Sequence, residues 1–296
     1  MPAEVRRLFS NIRIWQRHNE RAPHKPLLLL YALSGLLRGK RWFSYAEISK
    51  DVGNLLREFG PPRQTSPLYP FKHLASDGLW TYYPGRPPDF RRRDLLKSGI
   101  KGGFTPAVYE ILAQDESSVI ALAAELLEKN FPRSLHEDLS NAAGLSVTTI
   151  SGSAAAFQAP RRDPTFRSRL LRAYGYSCAV CGFNVMLDTV PVGLEAAHIK
   201  WHQFGGPDGE TNGLALCSLH HKLFDRGAFT LEAVAEQRYV LRVSESAHGG
   251  RGFQKWLLRY DNKPLRSPVS VRYAPKPEYA RWHFREVFRG SPRSNV

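Results

Sequence analysis

Two pairs of metal-binding residue types stand out in the chain: Cys178-Ala-Val-Cys181 and Cys217-Ser-Leu-His220. Each pair has two residues between its members, so each can grip one side of a tetrahedral ion. Sulfur and nitrogen donors filling every position leave none open, which points to a structural zinc held by Cys178, Cys181, Cys217 and His220. Between and around the pairs run LEAAHIKWHQFGG and TNGLALCSLHHKLFDRG, which bring His198, Asn212 and His221 into the same segment. Histidine, with an unperturbed pKa of ~6.5, suits proton transfer near neutral pH.

The elements needed to position these residues can be read from the flanking pattern. Short strands are expected near 193–199 and 213–216, and a short helix beginning near Cys217, so that His198 ends a strand and His221 rides on the helix. Asp225 then falls four residues beyond His221, on the same helix face. A helix at 164–174 precedes the first cysteine pair, and a last helix is expected near Pro277–Phe288. Upstream, MPAEVRRLFSNIRIW reads as an amphipathic helix with Val5, Leu8, Phe9, Ile12 and Trp15 on one side. A second helix runs from about His24 to Arg38, and a third over Ala46–Glu58, stopped by Gly60-Pro61-Pro62. Leu68–Tyr83 reads as two strands turning at Asp77-Gly78, and helices near 106–113 and 116–129 come after it. Residues 151–163, SGSAAAFQAPRRD, have the small, Pro-containing composition of a linker. The expected class is α+β: a mixed helical and hairpin DNA-binding domain over 1–150, the linker 151–163, and a zinc-stapled domain with a C-terminal extension over 164–296.

The charge supports a polyanionic partner. Among 296 residues, 42 Lys and Arg against 27 Asp and Glu leave a net +15, and such an excess favours phosphate contacts and counterion release. Residues 1–109 alone hold +11, with 19 basic against 8 acidic residues. Apolar residues at 42% and charged residues at 23% match ordinary globular chains. The longest strongly apolar stretch, Leu27–Leu37, has 11 residues, short of the ~20 that span a bilayer. No membrane partner and a cytoplasmic location are expected. Three cysteines close no disulfide framework, which favours metal binding in a reducing compartment. GxxxxGK[ST] and GxGxxG motifs are absent, so no nucleotide-driven or dinucleotide chemistry is indicated.

Over about 164–230 the chain resembles the HNH endonucleases with a ββα-metal fold, in particular the McrA-like members, where the three name-giving residues are interleaved with zinc ligands. The resemblance implies that His198 is the general base, that Asn212 orients it through the ribbon, and that His221 binds a catalytic divalent cation, magnesium or a similar ion. Asp225 is the natural second ligand. The position before His198, often an acidic ligand in that family, is Ala197, which makes Glu195 the acidic candidate. Over about 5–130, RAPHKPLLLLYAL and YPFKHLASDGLW resemble the sulfur-binding domain that precedes HNH modules in phosphorothioate-dependent restriction endonucleases. That resemblance implies contact with the modified backbone by His24 and Lys25, and an apolar cup for sulfur built with Tyr69 and Pro70 and lined near His73. Arg91, Arg92 and Arg93 are candidates for flanking phosphates or base edges. Together these imply a type IV-like restriction endonuclease acting on phosphorothioate-modified double-stranded DNA, with a homodimer as a candidate assembly. The alternatives are a zinc-stapled DNA reader with weak or no turnover, and a nuclease directed at another DNA modification.

Overall fold

The computed structural model describes residues 3–14, 20–63, 65–87, 89–145 and 163–294. The chain divides into two compact units, Met1–Ala159 and Pro160–Val296. Apart from Asp163, the expected linker 151–163 lies outside the described residues.

The first unit is built round α2 (His24–Leu37), which comes after the short α1 (Ala3–Ser10). Leu27, Leu28, Leu29, Leu30 and Leu33 are all fully buried, so α2 is apolar on every side and must be surrounded. α3 (Tyr45–Phe59), α7 (Glu116–Asn130) and α8 (His136–Ala143) pack against it. Local signals fix two of these helices. Ser44 caps α3 in a reciprocal box, its Oγ accepting from the Glu47 amide (3.2 Å) while Glu47 accepts from the Ser44 amide (2.8 Å). Asp115 caps α7 by accepting from the Ser118 amide at 3.0 Å. Trp15, placed on the first helix by its spacing, lies outside the described residues.

The hairpin expected over Leu68–Tyr83 does not form. Leu68–His73 is a helix, α4, followed by a 3-10 turn over Leu74–Asp77; only Trp80–Tyr83 is a strand, β2. The spacing of buried Phe71 and Leu74 is helical, and Pro70 stands in the first turn of α4, where its missing N–H costs nothing but would break a strand ladder. Gly78, at φ 76°, does reverse the chain, as the cap of the 3-10 turn. β2 pairs with β3 (Lys101–Phe104), which also pairs with β1 (Trp42–Ser44), giving an antiparallel sheet of order β1-β3-β2. α5 (Arg92–Lys97) and α6 (Pro106–Ala113) flank β3 in the chain.

In the second unit, α9 (Phe166–Ala173) leads into the first cysteine pair and a small ribbon, β4 (Met186–Leu187) with β5 (Val190–Pro191). β6 (Leu194–His198) and β7 (Gly213–Cys217) then form an antiparallel ribbon in which His198 faces Gly213 and Leu194 faces Cys217. α10 (Ser218–Asp225) leaves directly from β7, and α9 and α10 both pack on the ribbon. β8 (Phe229–Ala235) and β9 (Arg238–Val243) make a further hairpin, followed by α11 (Arg251–Trp256) and α12 (Pro277–Glu286). The expected elements of this unit are present, and the β8–β9 hairpin is an addition to them. Among the described residues no helix is long and apolar enough to cross a membrane.

The central strand β3 depends on Gly102, where a Cβ would lie 2.6 Å from Phe71 Cε2 and would also collide with Trp80. Gly102→Ala should therefore destabilise the first unit by about 1–3 kcal/mol through overpacking. Urea denaturation of the full chain, followed by tryptophan fluorescence, measures this; an unchanged midpoint would contradict it.

Candidate functional site

The Cys/His set converges. One ligand atom from each of Cys178, Cys181, Cys217 and His220 lies within 4.8 Å of the others, and this is the group of potential metal ligands found among the described residues. Cys217 Sγ stands 3.1 Å from His220 Nδ1, Cys178 Sγ 3.7 Å from the same nitrogen, and the Cys181 and Cys217 sulfurs are 4.0 Å apart. These are the edges of a tetrahedron about an ion at ordinary zinc bond lengths. His220 Nε2 donates to the Trp256 carbonyl at 2.8 Å, which fixes the tautomer and turns the Nδ1 lone pair toward the sulfurs. Neighbouring Cys178 and Cys181, together with burial, push the Cys217 thiol up, the response of a sulfur cluster that a cation would relieve. The residues fit a metal ion.

His198 ends β6 with its ring stacked on Phe166, centroids 4.3 Å apart and planes 23° apart. Its Nε2 lies 2.7 Å from Asp208 Oδ1. Asn212 is fully buried, and its side-chain hydrogen bonds go to the loop backbone and not to the His198 ring. Its Oδ1 accepts from the Lys200 amide at 2.9 Å, and its Nδ2 donates to the Lys200 carbonyl at 2.9 Å and the Pro207 carbonyl at 3.0 Å. It therefore pins both ends of the loop between β6 and β7. Asn212-Gly213 resembles a turn dipeptide, yet Gly213 is extended, at φ −137°. Glycine is required there because a Cβ would sit 2.6 Å from Leu170 Cδ2 and 3.2 Å from the Phe166 ring.

His221 is gripped from two sides. Its Nδ1 lies 2.6 Å from Glu195 Oε2 and its Nε2 3.1 Å from Asp225 Oδ2. Burial opposes its charge, but Asp225 and Glu195 outweigh burial and hold its pKa up at about 10. The hydrogen bond from His221 in turn brings Glu195 down to about 2 against the effect of burial. Ser218 Oγ donates to Glu195 Oε1 at 2.5 Å, and Trp201 Nε1 donates to Asp225 Oδ1 at 3.1 Å. Because the carboxylates address opposite nitrogens of one ring, Glu195, His221 and Asp225 do not present their donors to one point. In this arrangement they do not fit a divalent ion as a three-ligand set. Ala197 is buried on β6 and offers no donor.

In the first unit, His24, Lys25, Tyr69 and His73 line one cavity of about 240 Å³, together with Arg13, Ile14, Ala22 and Ser76. Tyr69 is the exposed lip, 4.5 Å from the His73 ring and 6.2 Å from that of His24. Pro70 is buried beneath and is not among the cavity's lining residues. Burial first, then Arg63, lowers His24 to about 4, and burial also lowers His73. At neutral pH, His24 is therefore uncharged. Lys25 keeps its ammonium inside the protein, 2.5 Å from Asp77 Oδ2 and 2.9 Å from the Arg13 carbonyl, with its side chain 9% exposed. Arg91, Arg92 and Arg93 are exposed at the start of α5, away from the cavity lining, and Arg91 pairs with Asp89 at 2.7 Å. Asp208, Phe166 and the Trp256 carbonyl are additions to the sequence-based set. Only Asp208 left a trace in the sequence, as a carboxylate four residues before Asn212, and a loop acid carries no periodic signal.

Residues 2–148 match the family model for the ScoMcrA-like DNA sulfur-binding domain, and residues 178–232 match that for an HNH endonuclease. No curated protein matches the chain. Among solved structures it is similar to the sulfur binding domain of ScoMcrA complexed with phosphorothioated DNA, at 22% identity over 50% of this chain and 99% of that one, TM-score 0.43. The sulfur binding domain of SprMcrA complexed with phosphorothioated DNA is similar at 23% identity over 48% and 93% of the respective chains, TM-score 0.41. The type IV phosphorothioation-dependent restriction endonuclease ScoMcrA is similar at 23% identity over 59% of this chain and 34% of that one, TM-score 0.41. The chain thus carries a ScoMcrA-like DNA sulfur-binding domain over residues 2–148 and an HNH endonuclease domain over residues 178–232.

Proposed function

We propose that the chain cuts DNA bearing backbone phosphorothioate, with residues 1–150 as the recognition domain, 151–163 as the linker and 164–296 as the nuclease domain. The observation that carries this reading is the joint match to a DNA sulfur-binding domain and an HNH endonuclease within one chain. The cavity supports it. Sulfur in place of a non-bridging oxygen is larger and more weakly hydrated, and a cavity lined by Tyr69 and an uncharged His24 favours such an atom. His73 lines the same cavity, and Pro70, buried in the first turn of α4, lies next to Tyr69 in the chain. Lys25, held by Asp77, steadies the cavity and contributes charge at short range, while Arg91, Arg92 and Arg93 supply phosphate contacts common to all duplexes.

In the nuclease domain His198 is the proposed base. It takes a proton from water, the water oxygen forms a bond to phosphorus, and the bond from phosphorus to the leaving oxygen breaks, that oxygen taking a proton from solvent. The proposed ion at Cys178, Cys181, Cys217 and His220 is zinc, which holds the segments together and leaves no coordination position for chemistry. Magnesium or a similar divalent cation is the proposed catalytic ion and would supply charge stabilisation at the phosphate; because Glu195 and Asp225 hold opposite nitrogens of His221, these three would bind it only after those contacts open. The second reading, a zinc-stapled DNA reader without turnover, draws on Ala197 and on the opposed placement of the Glu195 and Asp225 carboxylates.

Three outcomes are expected. Metal analysis of the purified protein should find one zinc per chain, and Cys178→Ser should lose it and unfold the second unit while phosphorothioate DNA still binds; protein without stoichiometric zinc contradicts this. In cleavage assays with added magnesium, His198→Ala should lower turnover by at least ~10²-fold at nearly unchanged affinity. A wild-type rate in that variant ends the base assignment, and a wild-type protein that binds but never cuts favours the reader. Tyr69→Ala should reduce the preference for phosphorothioate over plain duplex of the same sequence while leaving plain-duplex binding near its original value. Equal affinity of the unaltered protein for both duplexes, across several sequence contexts, would show that this unit recognises something else.

A further inference from the structure

His198 is the proposed base, and the carboxylate against its ring belongs to a loop residue that neither the sequence motif nor the family matches single out. Asp208 Oδ1 lies 2.7 Å from His198 Nε2, with the two side chains 13% and 12% exposed. The carboxylate is itself held. Its Oδ2 accepts from the Asp163 amide at 2.7 Å, and the Asp208 carbonyl accepts from Arg169 Nη2 at 2.7 Å. Arg169, on α9, is anchored in turn to Asp163 Oδ2 at 2.5 Å and Glu210 Oε1 at 3.0 Å. One residue before Asp208, the Pro207 carbonyl is pinned by Asn212 Nδ2. On the other side Phe166 stacks on the imidazole and stops the ring from swinging away.

We propose that Asp208 is the positioning residue of the nuclease, holding the His198 imidazole with its proton on Nε2. The inference rests on the base role proposed for His198. A neutral imidazole carries one proton; with that proton on Nε2 facing Asp208, the lone pair is on Nδ1, and the imidazolium formed when water gives up its proton is stabilised by an adjacent negative charge. Asp208 stays ionised throughout, since the hydrogen bonds from Asp163 and His198 outweigh burial and keep its carboxyl below the usual range. Among the described residues, the charged or titratable groups near this pair include His202, 3.9 Å from Asp208 Oδ2 and with its ring centroid 6.0 Å from that of His198, and the Arg169, Asp163 and Glu210 network.

Asp208→Asn keeps the shape but removes the charge and can turn an amide N–H toward Nε2, which favours the wrong tautomer. Turnover should fall at least ~10-fold with KM for the DNA nearly unchanged, as for loss of an outer partner of a functional histidine. The acid limb of the kcat/KM profile should move to lower pH, because His198 loses the charge that favours its protonated form. Nitrogen-15 NMR of the full-length wild-type protein should show neutral His198 protonated on Nε2, a measurement that depends on neither cleavage nor the variant's stability. Wild-type turnover with an unmoved acid limb in Asp208→Asn overturns the proposal, as does a wild-type His198 protonated on Nδ1. A lowered melting temperature with turnover and acid limb unchanged assigns Asp208 a structural role only and likewise overturns it. Wild-type cleavage by His198→Ala removes the base reading itself, and with it any part for Asp208 in turnover, while the nitrogen spectra still decide the hold between the two side chains.

Discussion

Everything in the second unit hangs on Cys217, which is at once the last residue of the β6–β7 ribbon, the residue before α10 and a member of the Cys/His cluster. A two-stranded ribbon and an eight-residue helix are each marginal by themselves. Tying the ribbon's end, the helix's first turn and the Cys178–Cys181 loop to one point makes the three a single body. The helix then imposes a division of labour on two adjacent histidines. Successive residues on an α-helix point ~100° apart, so when His220 faces the sulfurs His221 must face elsewhere, and it meets Glu195 from β6 and Asp225 one turn ahead. The orientation of His220 toward the sulfurs thus sets the direction in which His221 points.

The opposite end of the ribbon is governed by packing. His198 faces Gly213, and the absence of a side chain there lets Leu170 and Phe166 of α9 close on the ribbon. The Phe166 ring then lies flat on the imidazole, and Arg169 on the same helix reaches the Asp208 loop. One glycine therefore admits the helix that supports both the ring and the carboxylate beside it. Asn212, immediately before, contributes three hydrogen bonds to the loop and none to the ring, so its burial is a matter of loop geometry.

The features legible in the sequence are those that obey a short local rule. The paired ligand spacings, the all-apolar run of α2 and the Gly60-Pro61-Pro62 stop after α3 each act within a few residues, and each matches the expected element. The failures are non-local. β3 reads Lys-Gly-Gly-Phe, poor strand material by composition, and is a strand because β1 and β2 pair with it and large rings need the space above Gly102. The helix at Leu68–His73 was hidden by a downstream Asp-Gly that reverses the chain in either conformation. Asp208 could not be singled out at all, because its significance lies in a contact with a residue ten positions earlier, across a loop with no periodicity.

The first unit separates two kinds of affinity among different residues. In the cavity that holds the motif residues, His24 is neutral by burial and Lys25 has its charge matched by Asp77, while Arg13 adds a cation to the lining. Most of the basic residues behind the net +11 of residues 1–109 are not among the cavity's lining residues, and Arg91, Arg92 and Arg93 are exposed examples. Attraction by those charges is long-ranged, screened by salt and indifferent to a sulfur atom, whereas contact within a cavity of about 240 Å³ is short-ranged and depends on size and hydration. On the proposed function, this separation lets the protein be drawn to any duplex and retained where the backbone atom fits. Were Lys25 not matched by Asp77, the cavity would carry a second free cation and every phosphate would compete more strongly for it.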